Sequence, residues 1–272
     1  MTELADQPFE PPRLRTIGIT APLRWVGRGF ADMLAAPLYS FFYGGVLALM
    51  GWLLVTYYGG AIGLALTTGF LLIGPFLAVG IYDVSRQLAA GGRVDFPRTL
   101  TAWRANRPAI GFYALILMLS LAVWMRVSVV LVALLVPNGF ESLADFLALM
   151  SRSPGMWVFL LIYLSIGALL AAFSFAISAV ALPMLLDRAE MDAISAMIAS
   201  FRAISENPRP MLLWAAIIVA LIGAGFTTWF AGLALTVPLV GHATWHAYRD
   251  VVLPAADGQH ATVTPLSART TP

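Results

Sequence analysis

The sequence contains no cysteine and no lysine, and only 11% of its 272 residues are charged. The absence of cysteine excludes disulfides, thiolate metal sites and cysteine nucleophiles. A soluble domain has about 25% charged residues. With 60% hydrophobic residues and a mean hydropathy of +0.84, this chain cannot form a polar surface, so a multi-pass membrane protein is predicted. The net charge of +2 gives no reason to expect nucleic acid as a partner.

Long apolar runs take up most of the chain. A helix needs about 20 apolar residues to cross a hydrocarbon core of about 30 Å. Six stretches meet this length, at about 38–57, 64–85, 109–136, 156–186, 210–228 and 230–250. The predicted fold is an all-α membrane domain over residues 21–253, with six transmembrane helices in three hairpins. Residues 1–20 and 254–272 are predicted to be disordered cytoplasmic tails.

The arginines predict the orientation of these spans. Fourteen of the 16 arginines lie before the first span, between spans two and three, between spans four and five, or after the sixth. Cytoplasmic loops collect arginine. Both termini are therefore expected to be cytoplasmic.

A short amphipathic stretch precedes each odd-numbered span, with apolar residues at helical spacing. The stretches contain Trp25, Phe30 and Met33; Phe96, Leu100 and Trp103; and Ile194, Met197 and Phe201. Because arginines accompany each stretch, we predict three cytoplasmic interfacial helices. The outer loop PNGFESLADFLALMSRSPG at 137–155 has a similar apolar face and predicts a fourth interfacial helix.

Two segments share a longer pattern, PFLAVGIYDVSR at 75–86 and PLVGHATWHAYR at 238–249. The pattern aligns Pro75, Tyr82 and Arg86 with Pro238, Trp245 and Arg249. Aromatic residues and arginine at helix ends are typical of the membrane interface. These six residues are therefore predicted to form an interface framework, which indicates that one structural unit is repeated.

His242 and His246 are additions to that framework, because Val79 and Asp83 occupy the matching positions. Histidines at i and i+4 share one helix face. Such a pair can bind a divalent metal when a third ligand is supplied, or one ring can be an axial haem ligand. The alternative is that both histidines form hydrogen bonds with neighbouring helices.

Arg126 lies inside the third predicted span. A charge in this position costs at least about 2.5–3.5 kcal/mol unless it is paired or reaches the interface. One interpretation is contact with an anion or a lipid headgroup within the bundle. The other is a structural anchor, paired with Glu141 or Asp145, or with carbonyl groups near Pro137.

The sequence contains no phosphate-binding glycine loop, zinc-protease helix or nucleophile elbow. No catalytic residues are predicted, and no cofactor is required by the pattern. The leading hypothesis is a non-enzymatic accessory, scaffold or assembly protein, with lipid and other inner-membrane proteins as partners. The alternatives are a transporter or channel for a small solute that uses Arg126, and a haem or metal protein that uses His242 and His246.

Three stretches resemble a known family: GFLLIGPFLAVGIYDVSRQLAAG at 69–91, WMR at 124–126 and GHATWHAYRDVV at 241–252. The chain is similar over about 25–252 to bacterial predicted integral membrane proteins grouped as domain of unknown function 2189 (DUF2189). This resemblance implies a bacterial inner-membrane protein and implies no catalytic residues.

Overall fold

The computed structural model describes residues 12–136 and 139–254, which are helical except for turns and one isolated bridge between Leu14 and Val252. The α-helices are α1 (Ala21–Ala35), α2 (Pro37–Tyr57), α3 (Gly60–Gly69), α4 (Gly74–Leu77), α5 (Val79–Ala89), α6 (Phe96–Leu100), α7 (Arg107–Leu135), α8 (Leu143–Arg152), α9 (Gly155–Ser178), α10 (Ala181–Asp187), α11 (Ala193–Glu206), α12 (Pro208–Thr227) and α13 (Leu233–Val251). Short 3₁₀ helices cover Phe70–Ile73 and Ala102–Asn106.

Four helical segments in the described chain are long and apolar enough to cross a membrane. They are Pro37–Tyr57, Ala102–Leu135, Gly155–Asp187 and Pro208–Thr227. These correspond to the predicted first, third, fourth and fifth spans. Their outer faces carry many exposed large apolar side chains, including Leu38, Leu134, Leu161 and Leu212. Such faces are suited to contact with lipid rather than water.

The second predicted span, 64–85, is not one continuous helix. The chain passes from α3 through a 3₁₀ turn and α4 into α5. Pro75 accounts for the break, because it cannot donate a backbone hydrogen bond and its ring clashes with the carbonyl four residues earlier. Residues 64–85 are therefore absent from the four spans found by helix length and hydropathy.

The sixth predicted span, 230–250, corresponds to α13, which is continuous through Pro238. It is also absent from those four spans. The C-terminal half of the helix is surrounded by protein, and His242, Trp245 and Tyr248 are all buried. Polar and aromatic side chains are acceptable there because neighbouring helices supply their partners. Gly44 of α2 packs against the Ala234 carbonyl, which Pro238 leaves without its usual helical donor.

Contacts along the helices show how neighbours are oriented. Ser40 at the start of α2 meets His242, and Gly51 near its end meets Phe230 just before α13. α2 and α13 therefore run antiparallel. The same holds for α7 and α9, where Tyr113 bonds Ser178 and Ser128 bonds Tyr163.

A helix precedes each proline-initiated span. α1 ends at Ala35 before Pro37, and α11 ends at Glu206 before Pro208. The predicted helix at 96–103 is instead split into α6 and a 3₁₀ turn. The reason is local, because the Thr99 and Thr101 hydroxyls donate to carbonyls three or four residues earlier.

The segment before α1 is held against the end of α13. The Arg15 amide donates to the Val251 carbonyl at 2.8 Å, and the Leu253 amide donates to the Arg13 carbonyl at 3.0 Å. This pairing differs from the predicted disordered tail over 1–20, because backbone groups there find specific partners. The rest of the predicted tails, 1–11 and 255–272 with His260, lies outside the described residues.

The main core lies where α5, α10 and α13 meet. Ile81, Leu182, Trp245 and Tyr248 are at most 1% exposed. Gly241 makes the close approach between α5 and α13 possible, because a Cβ on it would lie 2.7 Å from Cγ2 of Ile81. This packing places the ends of α5 and α13 side by side and brings their polar residues together.

Candidate functional site

His242 is fully buried and is held by serines from two other helices. Its Nε2 lies 2.9 Å from Oγ of Ser40 on α2. Its Nδ1 lies 2.7 Å from Oγ of Ser85 on α5. Both ring nitrogens are therefore within hydrogen-bond distance of hydroxyl groups.

Asp32 of α1 connects this histidine to the second one. The Ser85 hydroxyl donates to Oδ2 of Asp32 at 2.6 Å, and Nε2 of His246 lies 2.9 Å from the same oxygen. One chain of hydrogen bonds thus runs through four helices. We call Ser40, His242, Ser85, Asp32 and His246 the histidine network.

The Asp32 carboxyl is stabilised in its ionised form. Burial by itself raises its pKa, but hydrogen bonds from His246 and Ser85 outweigh burial and hold the pKa below its usual value. The network therefore contains a carboxylate, which accepts hydrogen bonds and cannot donate them.

Asp250 extends the connection between α1 and α13 by one helical turn. It accepts hydrogen bonds from Nε1 of Trp25 at 2.8 Å and from Arg28 at 3.0 Å. Arg28 is 51% exposed, so this ion pair contributes little on its own. Together with the histidine network, these bonds fix the position of the amphipathic helix α1.

The corresponding part of α5 forms a separate, local cluster. Asp83 is fully buried, and its carboxylate accepts from Arg86 at 2.5 Å and from Gln87 at 2.8 Å. Arg86 also donates to the Leu186 carbonyl of α10 at 2.8 Å. The charge of Asp83 is therefore neutralised mainly within its own helix.

The aromatic residues of the predicted interface framework are buried within the protein. Tyr82 and Trp245 are 3% and 1% exposed, so they pack in the core rather than on the outer surface of the bundle. The physical reason is that α5 and α13 pack against each other at the centre of the bundle. Only Arg249 is well exposed, and it lies 3.3 Å from Asp187.

The donor set around His242 does not fit a metal or haem ligand. Serine hydroxyls engage both ring nitrogens, and the described residues contain no group of three His, Cys, Asp or Glu side chains arranged to hold a metal. The Ser40–His242 pair also resembles an activated serine nucleophile. Ser40 is only 1% exposed and bonds the Ala36 carbonyl, so a substrate cannot reach it in this conformation.

Arg126 lies on the outer face of α7, away from the core that contains Trp124 and Ser128. Among the described ion pairs, none joins it to Glu141 or Asp145. Asp145 instead forms a capping box with Ser142 at the start of α8. Arg126 is therefore not part of the histidine network and, among the described residues, forms no ion pair with Glu141 or Asp145.

Asp32, Ser40 and Ser85 did not emerge from the sequence as site residues. A usable signal exists for the two serines. Ser40 lies near the start of the first predicted span and Ser85 at the end of the second, so both occupy the arginine-rich end at about the level of His242. Asp32 carries no such signal, because an acidic residue on an amphipathic helix is ordinarily exposed.

A family described as "Predicted integral membrane protein (DUF2189)" has a model that matches residues 63–187. The family resemblance is thus confirmed for that range, which includes 69–91 and 124–126. The C-terminal stretch 241–252 lies outside it. Comparisons with curated proteins and with solved structures give no match.

Proposed function

We propose that this chain, similar to the integral membrane proteins of that family, is a non-enzymatic accessory or assembly protein that contacts a partner protein within the bilayer. The observation that carries the proposal is the position of Arg126. It interrupts an apolar stripe on α7 formed by Leu115, Leu119, Val123, Val130 and Leu134, all more than 40% exposed.

An arginine on a lipid-facing stripe is costly. It lies nine residues before the end of α7 at Leu135, about 14 Å along the helix at about 1.5 Å per residue. A charge near the bilayer centre costs about 2.5–3.5 kcal/mol on insertion scales. A carboxylate on a partner helix would offset this cost, and it would also confer specificity on the contact.

The surrounding topology supports a six-span arrangement. Gly60, at the start of α3, bonds the Glu141 carbonyl in the segment after α7, whereas Ser85 of α5 meets His242 at the level of Ser40. The broken segment from α3 to α5 thus returns to the end where α2 began. α13 has 19 residues, about 28 Å, and antiparallel packing against α2 supports a sixth crossing.

The same geometry supports an inner-membrane protein with cytoplasmic termini. Arg15, which precedes α1, and Leu253, which follows α13, belong to backbone-paired segments at one end. The arginine bias assigns that end to the cytoplasm. No cofactor is part of the proposal, because both ring nitrogens of His242 are engaged by the hydroxyl groups of Ser40 and Ser85.

The test is affinity purification in mild detergent with mass spectrometry, comparing the wild type with Arg126→Leu and Arg126→Lys. Arg152→Leu is the matched control, because Arg152 is exposed but lies in the outer α8 segment. A stoichiometric membrane partner that is lost in Arg126→Leu and retained in Arg152→Leu is expected.

Two results would overturn the proposal. One is a wild-type protein without any stoichiometric partner, and the other is a partner that Arg126→Leu retains. Solute flux in proteoliposomes that disappears in Arg126→Leu would favour the transporter hypothesis instead. The position of Arg126 outside the bundle does not favour that hypothesis.

A further inference from the structure

The histidine network has more hydrogen-bond contacts than hydrogens when Asp32 is ionised and both histidine rings are neutral. Ser40 contacts both the Ala36 carbonyl and His242, Ser85 contacts both His242 and Asp32, and His246 contacts Asp32. These five contacts need five hydrogens. Two serines and one hydrogen on each of the two rings supply only four. One contact is therefore unmade while His242 is neutral.

The Asp32 carboxylate determines which contact that is. Because Asp32 only accepts, Ser85 donates to it and must accept from Nδ1–H of His242. Nε2 of His242 is then bare and accepts from the Ser40 hydroxyl. The Ala36 carbonyl loses the Ser40 hydroxyl and keeps the Ser40 backbone amide at 3.1 Å.

We propose that the histidine network is a proton-binding site that takes up one proton at Nε2 of His242. In this step one N–H bond forms on the ring, and the Ser40 hydroxyl turns from His242 to the Ala36 carbonyl. One O–H bond of a hydronium ion in the surrounding water breaks as the N–H bond forms, and no other covalent bond changes in the net reaction. The ring becomes an imidazolium, and all five contacts are satisfied.

The proton comes from water at the arginine-rich end. The side chains of His246 and Asp32 are 17% and 18% exposed, whereas Ser40 and His242 are at most 1% exposed. Asp32 then provides the compensating negative charge through Ser85.

The other charged groups near the site either have partners or are exposed. On α1 and α13, Arg28 pairs with Asp250. On α5, Asp83 pairs with Arg86, and on α10 and α13, Asp187 pairs with Tyr248 and Arg249. Tyr43 of α2 bonds Thr99, and Arg209 of α12 is exposed. Burial of the ring opposes the imidazolium most strongly, and among the charged groups Asp32 favours it and His246 opposes it.

Proton uptake would change the hydrogen bonding at the junction of α1 and α2. Ala36 is the residue between these helices, and its carbonyl gains a hydrogen bond from Ser40 when His242 is protonated. The site thus links acidity at the membrane surface to the attachment of the amphipathic helix α1. It does not depend on the lateral contact proposed for Arg126.

The experiment is nitrogen NMR of the full-length protein with ¹⁵N-histidine, reconstituted in lipid nanodiscs and titrated with acid. The chain has only three histidines, so single His→Gln variants assign the signals. The wild type is expected to carry hydrogen on Nδ1 of His242 at neutral pH and on both nitrogens after acidification. In Asp32→Asn, half-protonation of His242 should require at least about tenfold more acid.

Ser85→Ala tests the hydrogen-bond direction. Without Ser85, Nε2–H becomes the favoured form, because it can donate to Ser40 while Ser40 donates to Ala36. Ser174→Ala is the matched control, since Ser174 is a buried serine whose Oγ has no hydrogen-bond partner within the described residues. It should leave the His242 signals unchanged.

A neutral wild-type ring protonated on Nε2 would overturn the proposal. So would a Ser85→Ala variant with the wild-type tautomer, or an Asp32→Asn variant with an unchanged acid titration. If the Ser85 and Asp32 variants do not fold, the wild-type tautomer and Ser40→Ala decide the question. Ser40→Ala must remove the hydrogen-bonded acceptor signal of Nε2, and an unaltered signal would contradict the site.

Discussion

The ends of α5 and α13 carry the same proline–aromatic–arginine pattern but use different means to accommodate polar groups in the core. On α5, Asp83 is bound by Arg86 and Gln87, three and four residues later in the same helix. On α13, His242 and His246 depend on α1, α2 and α5. A local cluster can form with its own helix, whereas the histidine network exists only after four helices have assembled.

The largest difference should come from removing the local charge on α5. Asp83→Ala leaves Arg86, whose side chain is only 21% exposed, without its carboxylate. Breaking a buried pair on one side costs about 3–5 kcal/mol. We expect the free energy of unfolding in mixed detergent micelles to fall by about this amount. Glu206→Ala, in an exposed pair with Arg202, is the control and should change it by less than about 1 kcal/mol.

Removing the charge from the histidine network should have a smaller effect. Asp32→Asn weakens two hydrogen bonds to a charged group, each with a contribution of about 1.5–3 kcal/mol. The loss should be smaller than that sum, because Asn still accepts from Ser85. Equilibrium unfolding in micelles at pH 7 measures it. A loss as large as that of Asp83→Ala would contradict the contrast between the two helices.

The pH dependence of the same variant follows from the lowered pKa of Asp32. A carboxyl whose pKa is lower in the folded state contributes its full stabilisation of the fold at pH values above its unfolded pKa of about 3.9. That contribution is lost as the pH falls through the folded value. The difference in unfolding free energy between wild type and Asp32→Asn should shrink once the pH falls below the range in which Asp32 itself protonates, below about pH 4. A difference that never shrinks in acid would contradict the lowered pKa of Asp32.

Gly241→Ala tests the contact between the two helices. Its Cβ would lie 2.7 Å from Cγ2 of Ile81, so one element must move. Overpacking of this kind costs about 1–3 kcal/mol. Ile81→Ala should make room and recover part of the loss in the double variant, as measured by a double-mutant cycle. Strictly additive losses would show that the contact does not limit the approach of the helices.

The smallest effect is expected at the arginine of α13. Arg249 is 52% exposed and 3.3 Å from Asp187, so Arg249→Gln should cost at most about 1 kcal/mol. Arg86→Gln, at the matching position, should lower the free energy of unfolding several times more. Asp83 is fully buried and cannot be solvated by water when it loses its arginine, whereas Asp187 is partly exposed. Thermal unfolding of the two variants side by side measures the ratio. Equal losses would contradict the stronger dependence of the buried Asp83 on Arg86 than of Asp187 on Arg249.

Several features could be predicted because they depend on local pattern. Four of the six predicted spans correspond to apolar helices, and prolines at 37, 108 and 208 begin helices as expected for the first turn. The break before Pro75 and the burial of Tyr82 and Trp245 could not be predicted from local sequence pattern. A proline can be accommodated or can break a helix, and an aromatic residue can face lipid headgroups or the core, depending on the neighbouring helix.

The sequence by itself determined that this is a helical membrane protein with an arginine-rich end, because hydropathy and charge act on each segment separately. The family resemblance could also be recognised from the sequence over about 25–252, of which the family model matches 63–187. Only the tertiary structure decided that His242 and His246 meet Ser40, Ser85 and Asp32, and that Arg126 faces outward. Hydrogen bonds require atoms within about 3 Å, and residues separated by 157 to 214 positions reach that distance only when the helices pack.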